Sequence, residues 1–126
     1  MTEKIENGQA EIGSAIKGLS ILSAKSSLKN FSLVLEGGVG LSIEALSDDD
    51  SQVLRCSIID LANLPKMEEA VCSVDWSWIY RSKVDQISIS ERTIKFVLNP
   101  AGPLTISVAV WQGSPFLSFH PFRPPK

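Results

Sequence analysis

The chain has 126 residues, of which 44% are hydrophobic and 21% are charged, a balance typical of a folded protein rather than a disordered one. This length suits one domain, and it suffices to bury a core without a metal or a disulfide. The net charge is −2 and the pI is near 5.3, so the sequence lacks the basic footprint of a nucleic-acid-binding protein.

The N-terminal segment has no signal-peptide pattern, because acidic residues stand where a basic region is required. No stretch approaches the roughly 18 apolar residues that a membrane-spanning helix needs. We therefore expect a soluble, cytoplasmic protein that binds neither membranes nor nucleic acid. Cys56 and Cys72 have no metal-binding or redox spacing, so we expect reduced core thiols. Whether they lie side by side is left open.

An apolar stripe predicts a helix over residues 9–24. Its members recur every three or four positions and are Ile12, Ile16, Leu19 and Leu22. Gly13 and Gly18 weaken this prediction, since a glycine inside a helix costs about 1 kcal/mol relative to alanine. An extended conformation over residues 16–22 is the second interpretation.

From residue 30 onward apolar and polar residues alternate, which predicts β-strands. Two predicted strands joined by a turn at Gly37-Gly38 carry on one face Phe31, Leu33 and Leu35, then Val39, Leu41, Ile43 and Ala45. After a polar loop at residues 47–51, a third strand has Leu54, Cys56 and Ile58 on one face. Residues 61–70 break the alternation and predict a short helix or an irregular connection.

Four more strands are predicted in the second half of the chain, separated by turns at residues 90–92, 99–103 and 112–115. The first three carry on one face Ile87 and Ile89, then Ile94, Phe96 and Leu98, then Leu104, Ile106, Val108 and Val110. Residues 116–119 form a short final strand. Three prolines then exclude continued strand pairing in the tail at residues 121–126.

Turn formers recur every eight to twelve positions over most of the chain, which is typical of antiparallel meanders, barrels and sandwiches. We therefore predict an α+β protein in which an N-terminal helix packs on a curved, mainly antiparallel sheet. That sheet is a meander or a partly open barrel of about seven or eight strands. Residues 1–126 form a single domain, with its β-rich region at about 30–120, and no internal repeat is evident.

The aromatic segment SVDWSWIYRSK, residues 73–83, allows two interpretations. As a strand, which we favour, it buries one face made of Cys72, Val74, Trp76, Trp78 and Tyr80. If Asp75 instead caps a helical turn, Trp78 lies opposite the face that holds Trp76, Ile79 and Tyr80. The conformation of residues 75–81 thus decides whether Trp78 is a buried core residue or an exposed residue that could contact a partner.

Patterns for catalysis and metal binding are missing from the sequence. The chain has a single histidine, His120, and no Cys or His cluster with metal-ligand spacing. Three consecutive acids, Asp48 to Asp50, lack the spaced ligands of a calcium loop. No nucleophile elbow or phosphate-binding glycine loop is present. We therefore predict a protein that is not an enzyme and uses neither a metal nor a cofactor.

The leading hypothesis is a small protein-binding domain that covers a partner surface as an inhibitor, an immunity-type antidote or an assembly adaptor. Tryptophan, tyrosine and arginine often dominate interfaces, and acids would attract a basic partner. The candidate contacts are Trp78, Tyr80, Arg81, Trp111, Glu44, Asp48, Asp49 and Asp50. The alternative is an apolar-ligand-binding barrel or roll with a pocket lined by Trp76, Trp78, Phe96 and Val108. A third hypothesis is a non-catalytic subunit of a larger complex.

Overall fold

The computed structural model describes residues 9–48, 51–60 and 75–120. Within these ranges one helix, α1 (Gln9–Ile16), precedes eight strands, and a 3-10 turn (Ser77–Ile79) precedes the fifth strand. The strands form two antiparallel sheets in sequence order, β1-β2-β3-β4 and β5-β6-β7-β8. Their bounds are β1 Ile21–Ser26, β2 Asn30–Leu35, β3 Val39–Asp48, β4 Ser51–Asp60, β5 Lys83–Ile89, β6 Thr93–Asn99, β7 Gly102–Trp111 and β8 Ser114–His120.

The predicted combination of a helix with a mainly antiparallel sheet is confirmed, although the strands divide between two sheets instead of forming one. The predicted strand faces are mostly buried, for example Leu33 paired with Leu41 between β2 and β3. Val110 is an exception at 44% exposure, because β7 extends there beyond the last residue that pairs with β6. Ile58, on edge strand β4, is also exposed.

The N-terminal helix is shorter than its apolar stripe predicts. Ile12 and Ile16 are buried as expected, but the left-handed backbone of Gly18 (φ +83°) follows the helix end. Leu22 lies in β1 instead and is 54% exposed. The extended interpretation of this segment is therefore correct from Ile21 onward. A β-bulge between Ile21 and Ser23 interrupts the alternation that would have marked the strand.

The two sheets repeat one another at an interval of 63 residues, so the expectation of no internal repeat is wrong. The backbone N–H of Leu54 donates to the carbonyl of Glu91 (2.7 Å), and 63 positions on from Leu54 the N–H of Leu117 donates to the carbonyl of Leu28 (2.8 Å). The β-bulge of β1 also recurs, between Val84 and Gln86 in β5. The molecule is thus built from two equivalent four-stranded units.

These two units meet at their first strands, where the exchanged hydrogen bonds are again equivalent. Ser20 forms an isolated antiparallel bridge with Lys83, its own counterpart. The N–H of Ile21 donates to the Ser82 carbonyl (2.9 Å), and the N–H of Val84 donates to the Leu19 carbonyl (3.1 Å). Contacts of β3 with β8 and of β4 with β7 bring the sheets together over a shared core.

Candidate functional site

Residues 75–80 form a turn and a short 3-10 helix instead of a strand, so the favoured strand interpretation is wrong for them. The Asp75 carboxylate (Oδ1) accepts hydrogen bonds from the backbone N–H (3.0 Å) and the hydroxyl (2.7 Å) of Ser77. This aspartate turn starts the short 3-10 helix that ends at Ile79. The predicted buried face also included Cys72 and Val74, which lie outside the described residues.

Trp76 is a core residue and not the wall of a ligand pocket. Its side chain is 4% exposed, and its indole N–H donates to the Ser26 hydroxyl at 2.9 Å. The ring makes edge-to-face contacts with Phe31 and Phe119 at centroid distances of 4.9 and 5.0 Å. The other proposed pocket residues are likewise core or packed against it: Phe96 and Val108 are buried and Trp78 is half-buried.

Tyr80 and Arg81 are exposed at the outer edge of β1. The Tyr80 hydroxyl donates to the Ala24 carbonyl at 3.5 Å, and the Arg81 backbone N–H donates to the Ile21 carbonyl at 2.7 Å. Trp78, the third member of the predicted contact cluster, packs against the core. The structure therefore keeps two of these three side chains on the surface.

The end of the β7–β8 hairpin carries Trp111, the most exposed of the large apolar side chains among the described residues. Trp111 is 68% exposed, and its neighbour Val110 extends past the core on the other face of the strand. Ala109 pairs with Phe116 and Trp111 pairs with Ser114, so Trp111 and half-buried Phe116 are diagonal neighbours on the outer face. Trp111, Val110 and Phe116 are called the hairpin patch below.

Phe116 was not among the sequence-based contact candidates, because its neighbours Leu117 and Phe119 are the inward residues of β8. The β7–β8 register shows its position: it lies opposite Ala109, in phase with Trp111. A two-residue turn, Gln112 (φ +52°) and Gly113 (φ +81°), holds the hairpin end. Positive φ at both turn residues is typical of the two-residue turns whose twist matches that of the flanking strands.

Two of the acidic candidates, Glu44 and Asp48, belong to β3 of the equivalent hairpin, β3–β4. Glu44 is half-buried, and its Oε1 lies 3.9 Å from Nη1 of Arg55 on the neighbouring strand. The backbone of Asp48 pairs with Ser51 at the end of the hairpin. Its side chain, together with Asp49 and Asp50, lies outside the described residues.

The titratable groups in the described part of the chain form no constellation for metal binding. No set of three or more His, Cys, Asp or Glu residues there is close enough to hold an ion. Burial raises the pKa of the Cys56 thiol to about 12, which leaves almost no thiolate at neutral pH. His120 is exposed at the end of β8. No helix in the same ranges is long and apolar enough to cross a membrane.

A groove of about 400 Å³ lies between α1 and the outer edge of β5. Gly13 and Ser14 of α1 and the following Lys17 line one side, and Val84, Asp85 and Ile87 line it from the strand. Val84 and Ile87 are buried and form its floor, whereas Lys17 and Asp85 are exposed at its rim. No residue predicted as a site from the sequence lines this groove.

Comparisons with protein-family models, with curated proteins and with solved structures find no match for this chain. Its function is therefore inferred from the geometry described above.

Proposed function

We propose that this chain is a small, cytoplasmic, non-catalytic protein-binding domain that covers a partner surface with its hairpin patch. Such a domain acts as an inhibitor, an immunity-type antidote or an assembly adaptor. The observation that carries the proposal is the 68% exposure of Trp111 on a hairpin whose adjacent residues are also apolar. Tryptophan is one of the residue types most enriched among the side chains that contribute most to binding, and its ring buries a large apolar area on association.

The equivalent hairpin supports the view that the patch serves a purpose other than folding. Asp48 stands 63 positions before Trp111 and Ser47 stands 63 positions before Val110, so the same architecture forms with polar residues at both positions. The inward neighbours keep their apolar character, as Ala45 and its counterpart Val108 do. Folding therefore does not require an aromatic ring at position 111.

The partner surface that fits this patch is an apolar cleft. A tryptophan at the centre of an interface typically contributes at least about 2 kcal/mol when it is truncated, which corresponds to about a 30-fold loss of affinity. The charged residues of the chain then tune the association rate and the choice of partner rather than supplying most of the affinity.

Affinity capture from extracts of the source cells tests the proposal. The wild-type chain is compared with Trp111→Ala and with Leu22→Ala, a control that truncates a different exposed apolar side chain (54% exposed) in the other unit. We expect one protein to be captured in stoichiometric amount by the wild type and the Leu22 variant and to be lost with the Trp111 variant. Absence of such a protein, or equal retention by the Trp111 variant, would contradict the proposal.

A further inference from the structure

The groove between α1 and β5 has a filled counterpart in the other unit of the molecule. A shift of 63 residues places Gly13 on Trp76, Lys17 on Tyr80 and Ile87 on Ala24. The flanking backbone is the same: the N–H of Gly18 donates to the Val84 carbonyl (2.8 Å), as the N–H of Arg81 does to the Ile21 carbonyl (2.7 Å). The two sites are therefore versions of one structural position.

In the filled version, the chain supplies its own aromatic rings to the edge of β1. Trp76 enters the core, and its indole N–H reaches the Ser26 hydroxyl at 2.9 Å. Tyr80 stays at the surface, where its hydroxyl donates to the Ala24 carbonyl at 3.5 Å. That carbonyl belongs to the outer strand of its sheet, so the phenol occupies a hydrogen-bonding position at a sheet edge.

In the open version, the groove is lined by Gly13 and Lys17, the counterparts of Trp76 and Tyr80. Ile87 and Ile89 stand where the first unit has the smaller Ala24 and Ser26; Ile87 is buried and Ile89 packs against the core. An added side-chain atom on Gly13 would meet Cγ2 of Ile87 at 3.7 Å. The position of Tyr80 is instead taken by Lys17, and the groove remains there.

We propose that this groove accepts a tyrosine side chain of a partner protein, an inference that rests on the proposed protein-binding function. The phenol ring lies against Val84 and Ile87, and its hydroxyl donates to the Ile87 carbonyl, as the Tyr80 hydroxyl does to Ala24. The Lys17 ammonium at the rim supplies a cation for the ring face. A partner's tyrosine is inferred because a tyrosine of the polypeptide, Tyr80, occupies the equivalent site in the other unit.

A nuclear magnetic resonance titration of the ¹⁵N-labelled full chain tests the inference with two probes, N-acetyl-tyrosinamide and N-acetyl-phenylalaninamide. We expect saturable shifts of the Gly13, Ile87 and Ser88 amides with the tyrosine probe. Binding of the phenylalanine probe should be about three- to tenfold weaker, because it lacks the hydroxyl that donates to the carbonyl. Equal binding of the two probes, or shifts centred elsewhere on the molecule, would overturn the proposal.

Two variants make the test specific. Lys17→Tyr should place the chain's own ring in the groove and abolish probe binding, whereas Lys95→Tyr, the same change at an exposed position of β6, should leave it unchanged. Their circular dichroism spectra and melting temperatures report whether each variant is folded. Undiminished binding by a folded Lys17→Tyr chain would overturn the proposal.

The titration also distinguishes a protein-borne tyrosine from a free one, and it distinguishes failure of the groove inference from failure of the proposed function. Tighter binding of free tyrosine than of the blocked amide would assign the groove to a free amino acid and overturn a protein-borne ring. Capture of a partner through Trp111 without any binding of the tyrosine probe would overturn the groove inference alone. Probe binding by a chain that captures no protein would contradict the proposed function alone.

Discussion

At one pair of equivalent backbone positions, the two units carry different residues. Gly18 and Arg81 are counterparts, and both have left-handed backbones, with φ of +83° and +73°. Glycine takes this conformation without strain, whereas a residue with a Cβ atom is disfavoured there by about 1 kcal/mol or more. Position 81 therefore retains a strain that its counterpart avoids.

Replacing Arg81 with glycine should stabilise the protein by about 0.5–1 kcal/mol, because relief of the left-handed strain exceeds the entropy that glycine adds to the unfolded chain. The reciprocal change, Gly18→Ala, should destabilise it by about 1 kcal/mol. Urea unfolding of both variants measures these differences. A destabilised Arg81→Gly chain would show that the arginine side chain contributes more than its backbone costs.

The Cys56 thiol gives a pH dependence whose sign follows from its burial. Burial raises the pKa of this thiol from 9.0 to about 12, so the protonated form is favoured in the folded state. Its contribution to stability is full below pH 9 and is lost as the pH rises toward 12. In a Cys72→Ser background, unfolding free energies should fall less steeply over this range after Cys56→Ala. Equal slopes would contradict the buried thiol.

At the scale of elements, the two tryptophans that the structure separates most clearly should differ in their effect on stability. Trp76 closes the core between β1 and β8, so Trp76→Ala should cost about 3–5 kcal/mol and leave the Ser26 hydroxyl buried without its indole donor. Trp111→Ala should change stability by less than about 0.5 kcal/mol. Chemical denaturation measures both, and similar losses for the two variants would contradict this assignment.

Elements were predictable from the sequence where alternation is uninterrupted and each inward residue has a partner on the next strand, as for Leu33 and Leu41. The first strand was not, because its bulge puts the buried Ile21 out of step with the buried Ala24 and Ser26. The predicted helix is longer than the observed one because Leu19 and Leu22 continue its apolar spacing by chance. The left-handed backbone of Gly18 follows the end of the helix before these residues. The strand predicted for the aromatic segment does not form at residues 75–80, because the Asp75 side chain accepts a hydrogen bond that starts a turn.

At the scale of the whole molecule, the internal repeat is not evident in the sequence because counterparts share burial more often than identity. Leu41 and Leu104 are identical, but Phe31 corresponds to Ile94 and Cys56 to Phe119. The exposed aromatic at position 111 was predictable from its phase in β7. The hairpin patch as a surface was not, since it depends on the register that brings Phe116 beside Trp111. The groove depends on the comparison of the two units and could not be found from the sequence.

The repeat also predicts a stoichiometry. Two equivalent hairpins would support two equivalent partners, but only the β7–β8 hairpin carries Trp111, and its counterpart carries Asp48. We therefore expect one partner molecule per chain, measured by light scattering of the purified complex. A complex with two partner molecules on one chain would show that the repeat, rather than the hairpin patch, determines binding.

The claim that the hairpin patch is the contact surface is tested most directly by site-specific photo-cross-linking in the source cells. A benzophenone amino acid placed at position 111 should form a covalent adduct with one protein. The same residue at position 95, an exposed position of β6 on the same sheet, should form none with that protein. No adduct from position 111, or the same adduct in equal yield from both positions, would contradict the proposed binding surface.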